Sequence, residues 1–142
     1  MYIRCTSNPS ATPASVGATT AGEKTKEATV LCKQLYQDRR LDPLRSVIAL
    51  GEPPTLQMQS DRRYVTDEQR AALDVFKSLN EQCRNNIAAA NPRLWQIVVQ
   101  IQPSPYEHLR QLYDRKITIG EYNSYRQEMM EKLNNALAGP PK

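Results

Sequence analysis

Apolar residues recur at every third or fourth position along most of this chain and nowhere alternate over the length of a strand. That spacing predicts helices, and end signals in the sequence bound them. "TAGE", Thr20 to Glu23, fits a capping box, and Ala28, Leu31, Cys32 and Leu35 follow on one face. A first helix is therefore expected from about Glu23 to Arg39, with Cys32 on its buried side. In "LDPLRSVIAL" Asp42 reads as an N-cap with Pro43 at the first helical position, which gives a short helical turn before Gly51. "GEPPTLQMQSDRRYV" reads as a loop with room for one helical turn around Leu56 and Met58.

The best-specified element starts at "TDEQ". Thr66 caps, Gln69 reaches back, and Asp67 and Glu68 favour the positive end of the helix dipole. Ala72, Phe76, Leu79, Cys83, Ile87 and Ala90 then form one stripe, so a helix is predicted from Asp67 to Ala90. In "NPRLW" Asn91 caps and Pro92 opens a helix through Ile101. "PSPYE" repeats the device, with Ser104 as cap, Pro105 first and Glu107 completing the box. A last pair is predicted from Tyr106 to about Arg115 and from Ile119 to about Ala138, joined by "DRKIT". With no strand pattern and no internal repeat, the fold class expected is all-α, a small bundle of four to five helices.

The periodic pattern fails at both ends. From Thr6 to Gly22 the residues are Ser, Thr, Pro, Ala, Gly, Asn and one Val, without a single charge. Nothing there offsets the entropy of ordering a backbone, on the order of 1–2 kcal/mol per residue. Residues 1–22 are thus expected to form a disordered, flexible tether, residues 23–138 a single helical domain, and residues 139–142 a frayed tail. Cys5 sits at the root of the tether. The arrangement resembles mature bacterial lipoproteins, in which a lipidated cysteine precedes a small-residue spacer and a folded body, and this makes Cys5 a candidate lipid anchor. Arg4 stands where that pattern carries a small residue, and the alternative is a disordered end with an idle thiol.

Composition narrows the possibilities further. At 142 residues the chain has room for one core, and Phe76 and Trp95 are its only large non-tyrosine aromatics. Nineteen basic residues against fifteen acidic ones give +4, a mild and evenly spread excess unlike the clustered charge of a nucleic-acid binder. The longest apolar run, Ile97 to Val99, is far too short to cross a bilayer. "MYIR" carries no apolar leader segment, so the chain reads either as cytosolic or as a form without its leader.

The cysteines bear on that choice. Cys32 and Cys83 both lie on apolar stripes, and antiparallel packing of their helices brings them into reach of a disulfide. Such a bridge persists in an oxidising compartment, whereas two reduced core cysteines are the alternative. The run "CKQLYQDRRLDPLRSVIAL", followed by a Pro/Thr loop and "YVTDEQRAALDVFKSLNEQC", resembles a group of small envelope proteins of Gram-negative bacteria, with Arg40 to Arg45 as its most specific element. The resemblance implies an envelope location, periplasmic or lipid-anchored, and a paired-cysteine helical body; it implies no activity. "LRQLYDRKITIGEYNSYRQEMMEKL" is similar to the C-terminal helical hairpins called SHOCT domains, matching at Ile117, Thr118, Glu121 and Tyr122. Arg115 occupies the place of that family's glycine, so a left-handed turn there costs more or is made differently.

Recognisable catalytic chemistry is sparse. His108 is the lone histidine and reads as a surface residue on a helix beside Glu107. Cys5, Cys32, Cys83 and His108 lack the close pair spacing of a zinc site, so no metal is expected. There is no phosphate loop, no nucleophile elbow, and no acidic pair outside helix starts such as Asp67-Glu68. The chain reads as non-enzymatic and without a cofactor. Arg39-Arg40, Arg62-Arg63 and Arg115-Lys116 form a candidate anion or partner patch, or else solvated pairs satisfied by Asp38, Asp61 and Asp114. Trp95, Tyr106, Tyr113, Tyr122 and Tyr125 are expected to pack between helices. The expectation is an envelope binding or structural subunit with a protein partner, touching membrane only through a lipid on Cys5. Its rivals are a cytosolic adaptor or nucleic-acid-binding module, and an inhibitor of an exported hydrolase.

Overall fold

The structure is a computed structural model that describes the backbone of residues 12–138 and the side chains of residues 22–138. Among the described residues every regular element is helical. The described residues form seven α-helices in turn: α1 (Thr12–Leu35), α2 (Asp42–Arg45), α3 (Leu56–Gln59), α4 (Asp67–Ala90), α5 (Pro92–Ile101), α6 (Glu107–Tyr113) and α7 (Ile119–Ala138). A 3₁₀ turn at Arg39–Leu41 joins α1 to α2. The all-α class is as expected, and the count rises to seven because the turns around Pro43 and Leu56 are complete helical turns.

Three of the longer helices start where a side chain satisfies the free N–H groups of the first turn. Thr66 Oγ1 accepts from Gln69 N–H at 3.1 Å while Gln69 Oε1 accepts from Thr66 N–H at 2.9 Å, the reciprocal pair expected for α4. Asn91 Oδ1 accepts from Leu94 N–H at 3.0 Å and opens α5 behind Pro92. Thr118 and Glu121 make the same reciprocal pair at the head of α7.

Four local expectations need correction. The first helix begins at Thr12 rather than near Glu23. Extending a helix already anchored by packing costs far less than nucleating one, so a small-residue stretch with no apolar periodicity of its own can be carried into α1. That helix also stops at Leu35, because Asp38 takes an extended conformation and its Oδ1 accepts from Arg40 N–H at 2.9 Å, capping the 3₁₀ turn instead. Asp42 is consequently not a cap but the first residue of α2, where its carboxylate pairs with Arg45. Ser104 likewise caps nothing: α6 starts at Glu107 with the Tyr106 backbone in the cap position and no side-chain cap.

The core is built on α4. α1 runs antiparallel to it, as the pairings Thr25 with Asn91, Cys32 with Cys83 and Tyr36 with Asn80 require. Ala28, Cys32 and Tyr36 face α4, whereas Leu31 turns outward and is 48% exposed, so the buried stripe of α1 is narrower than the sequence spacing suggests. Phe76, Leu73, Leu41, Leu44, Ile48, Leu112 and Ile119 are all but fully buried around α4. Each such side chain contributes about 1.5–3 kcal/mol of burial. Arg45 closes the end of α1, donating from Nη1 to Tyr36 O and from Nη2 to Asp38 O, both at 3.0 Å.

α7 crosses α3 and the 59–63 segment at very close range. Gly120 N–H donates to Asp61 O at 2.7 Å and Ile119 N–H to Arg63 O at 2.9 Å. A Cβ on Gly120 would stand 2.5 Å from both Asp61 O and Gln59 O, so only glycine permits this approach. One turn on, fully buried Asn123 donates from Nδ2 to Val47 O at 2.8 Å and Met58 O at 3.0 Å, tying α7 to both ends of the 47–58 loop.

Candidate functional site

The Cys32 and Cys83 sulfurs lie at disulfide-bond distance, 1.95 Å, with Cα atoms 5.0 Å apart. The expected pairing is therefore present, and the two residues join the last turn of α1 to the later half of α4 across 51 residues of chain. Closing a loop of roughly that length stabilises the fold by about 4 kcal/mol through restriction of the unfolded chain.

This bridge also lines a cleft of about 390 Å³. Cys32 of α1, Tyr36 just past its end, and Cys83 and Ile87 of α4 form one side, Trp95, Val98 and Ile101 of α5 a second, and Met129, Met130 and Leu133 of α7 a third. The cleft exists because α5, although strongly amphipathic, buries none of its side chains fully: its apolar face leans over α4 without closing onto α1. Its volume lies in the usual range of small-molecule sites, on the order of 300–1,000 Å³.

A smaller recess of about 80 Å³ adjoins the cleft, and Asn80, Arg84, Gln102 and Arg126 line both. Its other walls include Tyr106, Tyr122 and Tyr125, and no carboxylate lines it. Arg84 is half-buried; its guanidinium lies 4.7 Å from the Trp95 ring centre and Nη1 donates to Gln102 Oε1 at 3.1 Å. Gln102 in turn donates from Nε2 to Tyr125 Oη at 2.9 Å. Burial pulls the Arg84 guanidinium below its ordinary value. Arg126 donates from Nη1 to Ala49 O at 3.2 Å and lies 5.6 Å from the Phe76 ring centre. Among the described residues neither arginine has a carboxylate within ion-pair distance. Burial also pushes the Tyr36 hydroxyl up to about 12 and raises those of Tyr106 and Tyr122.

Each basic pair of the candidate patch has its own local contacts. Arg63 pairs with Asp61 at 2.7 Å, and Arg40 pairs with Asp38 at the same distance, two of the three local partners expected. The third pairing is different: Arg115 reaches Asp67 at 2.6 Å, and Asp114 lies 3.8 Å from Arg110. Arg115 takes φ 58°, the left-handed conformation that favours glycine, and its Nε donates to Val65 O at 2.7 Å. Arg62, Arg63, Arg115 and Lys116 flank the seam where residues 61–65 run beside the start of α7, whereas Arg39 and Arg40 belong to the 3₁₀ turn. No hydrogen bond or ion pair joins these two groups among the described residues.

His108 is half-buried rather than exposed, stacked on Tyr125 with ring centres 3.5 Å apart. Both line a wide, polar depression of about 670 Å³ between α3, α6 and α7. Its carboxylates already have local partners: Asp61 holds Arg63, Glu121 accepts from Thr118 N–H, and Glu128 pairs with Lys132. Among the described residues no group of three His, Cys, Asp or Glu side chains could hold a metal ion, and no helix is long and apolar enough to cross a membrane. Cys5, the proposed tether before Thr12 and the tail at 139–142 lie outside the described residues.

Tyr106, Tyr113 and Tyr122 pack against neighbouring helices as expected, whereas Trp95 lines the open cleft. Tyr113 lies under Arg70 at 4.2 Å, Tyr106 under Lys77 at 5.3 Å, and Tyr122 is 5% exposed. The cleft itself escaped the sequence pattern because four helices build it. The available signal was the pair of arginines, Arg84 and Arg126, set among stripe residues where a purely structural helix would carry apolar ones. No family model, curated protein or solved structure matches the chain.

Proposed function

We propose that this protein is a non-catalytic binding subunit of an oxidising compartment, the bacterial cell envelope, and that the cleft between α1, α4, α5 and α7 is its recognition surface. The observation that carries the reading is the position of the Cys32–Cys83 pair in the wall of that cleft: one covalent link both staples the fold and shapes the site. A bridge of this kind persists where thiols are oxidised. The apolar cleft, with a few polar groups gathered at one end, is the form a binding site takes. The likeness of the Leu31–Cys83 region to small envelope proteins supports the same compartment. A lipid on Cys5 would tether the body to a membrane surface, and a protein partner remains compatible with the same recognition surface.

The test is mass spectrometry of the natural protein, alkylated without reductant in fractionated cells. The expected result is a linked pair of peptides carrying Cys32 and Cys83, recovered with the envelope fraction. Recovery of both cysteines in alkylated form would overturn the assignment.

A further inference from the structure

We infer that the cleft binds a single-chain anionic amphiphile as a free monomer, its alkyl chain lying along the apolar walls and its carboxylate or phosphate head between Arg84 and Arg126. The inference deepens the preceding reading and rests on the cleft being the recognition surface.

The polarity of the site runs in one direction. Along the cleft, Trp95, Val98, Ile101, Met129, Met130 and Leu133 offer an almost unbroken hydrocarbon surface. At the recess the surface becomes polar, with Asn80 and Gln102 amides, three tyrosines and two guanidinium groups. A ligand complementary to both parts has an apolar body and one compact polar end. The sign of that end follows from charge. Arg84 and Arg126 line the recess with no carboxylate, and neither has an ion pair among the described residues. Lys33 and Glu52 also line the cleft, both exposed and opposite in charge, so they leave that balance unchanged.

Among the described residues Arg84 makes a single hydrogen bond, to Gln102, out of the five N–H donors a guanidinium carries. A half-buried guanidinium with unused donors gains more from a bound anion than an exposed one does, because its hydration is already incomplete. The Arg84–Gln102–Tyr125 chain of hydrogen bonds fixes the plane of the group in advance. The inward position of the arginines also separates a free monomer from a bilayer. Lipid headgroups in a membrane are met by cations on an exposed rim, whereas Arg84 and Arg126 are partly buried against Trp95 and Phe76.

Trp95 is the single tryptophan of the chain and lines the cleft, so its emission reports occupancy. The experiment titrates the oxidised full chain, below micelle-forming concentrations, with laurate, dodecyl phosphate, dodecanol and dodecyltrimethylammonium. Anionic vesicles form a fifth arm, read by co-sedimentation. The expected result is a saturable change with laurate and dodecyl phosphate at least about tenfold tighter than with dodecanol, the effect of one charge-assisted hydrogen bond, and weakest binding of the cation. Arg84→Gln should remove most of that preference while leaving dodecanol binding in place, with circular dichroism verifying the fold; the ligand series on the unaltered chain decides the matter should the variant not fold. Equal binding of dodecanol and laurate would overturn the anionic head and leave the cleft as a recognition surface. No response to any of the four monomers would overturn the inference and leave the cleft to a protein partner. Vesicle binding without monomer binding would move the site to a membrane surface and overturn the inference.

Discussion

Replacing Gly120 by alanine sets two well-measured tendencies against each other. Alanine is the better helix former by about 1 kcal/mol, so in an isolated helix the change would stabilise. At Gly120 the new Cβ would meet Asp61 O and Gln59 O at 2.5 Å and Asp61 N at 2.9 Å, all of them backbone atoms that cannot swing aside. Relief requires α7 to back away from the 59–61 segment. Overpacking of this kind costs about 1–3 kcal/mol, and losing the Gly120 N–H bond to Asp61 O leaves a buried donor that costs about as much again. Asn123, one turn along, would be strained in its bonds to Val47 O and Met58 O by the same displacement. The expected net loss is on the order of 2–4 kcal/mol. Gly22 supplies the internal control: it lies in α1 with nothing within 4 Å of a new Cβ, so Gly22→Ala should stabilise by about 0.5–1 kcal/mol. Urea unfolding of the oxidised chain, followed by far-ultraviolet circular dichroism, measures both. A Gly120→Ala protein as stable as the parent would refute the close approach of α7 to the 59–61 segment.

Converting both Cys32 and Cys83 to alanine should cost about 4 kcal/mol against the oxidised parent; an unchanged urea midpoint would mean the link does not form. Arg115→Gly should retain about 1 kcal/mol more stability than Arg115→Ala, because both lose the bonds to Val65 and Asp67 but only glycine relaxes the left-handed backbone; equal losses would contradict the φ of 58°. Burial raises the Tyr36 hydroxyl from 10.0 to about 12, so stability is fully present below pH 10 and lost as pH rises toward 12. Tyr36→Phe should flatten part of that alkaline loss in a series of pH-dependent melts, and an identical profile would remove Tyr36 as its source. The Arg40 hydrogen bond holds the Asp38 carboxyl at about 2 against an ordinary 3.8, so its contribution is present above pH 4 and lost as pH falls toward 2. Asp38→Asn should shallow the acid limb of the same series, and an unaltered limb would refute the pairing.

Much of the fold was legible where a helix announces its own start. Thr66 with Gln69, Asn91 with Pro92, and Thr118 with Glu121 are local chemical pairs, and the helices they open have the bounds their sequence implies. Errors arose where a local signal competed with a tertiary one. Ser104, Pro105 and Glu107 spell a capping box, yet Tyr106 and Pro105 line the recess beside Leu109, and the helix waits until Glu107. Leu31 fits the apolar spacing of α1, but the stripe facing α4 is only wide enough for Ala28, Cys32 and Tyr36. The cysteine pairing was within reach because both residues fell on stripes of helices long enough to lie side by side. The cleft was not, since its walls come from residues spread between Thr29 and Leu133, and no periodicity within one helix records where two others fail to meet. Arg115 lies between these cases: the missing glycine was visible, while the bond from its side chain to Val65 O that holds the turn was not.

The link between α1 and α4 also determines how the molecule carries mechanical load. A pull applied at the N-terminal end can peel α1 only as far as Cys32, where tension passes through the sulfurs into Cys83 and the longer remainder of the chain. Residues 33–82, which hold the most densely packed part of the interior, then lie outside the line of force. A body suspended by its N-terminal end would yield first in the part of α1 that precedes Cys32 and keep its centre intact.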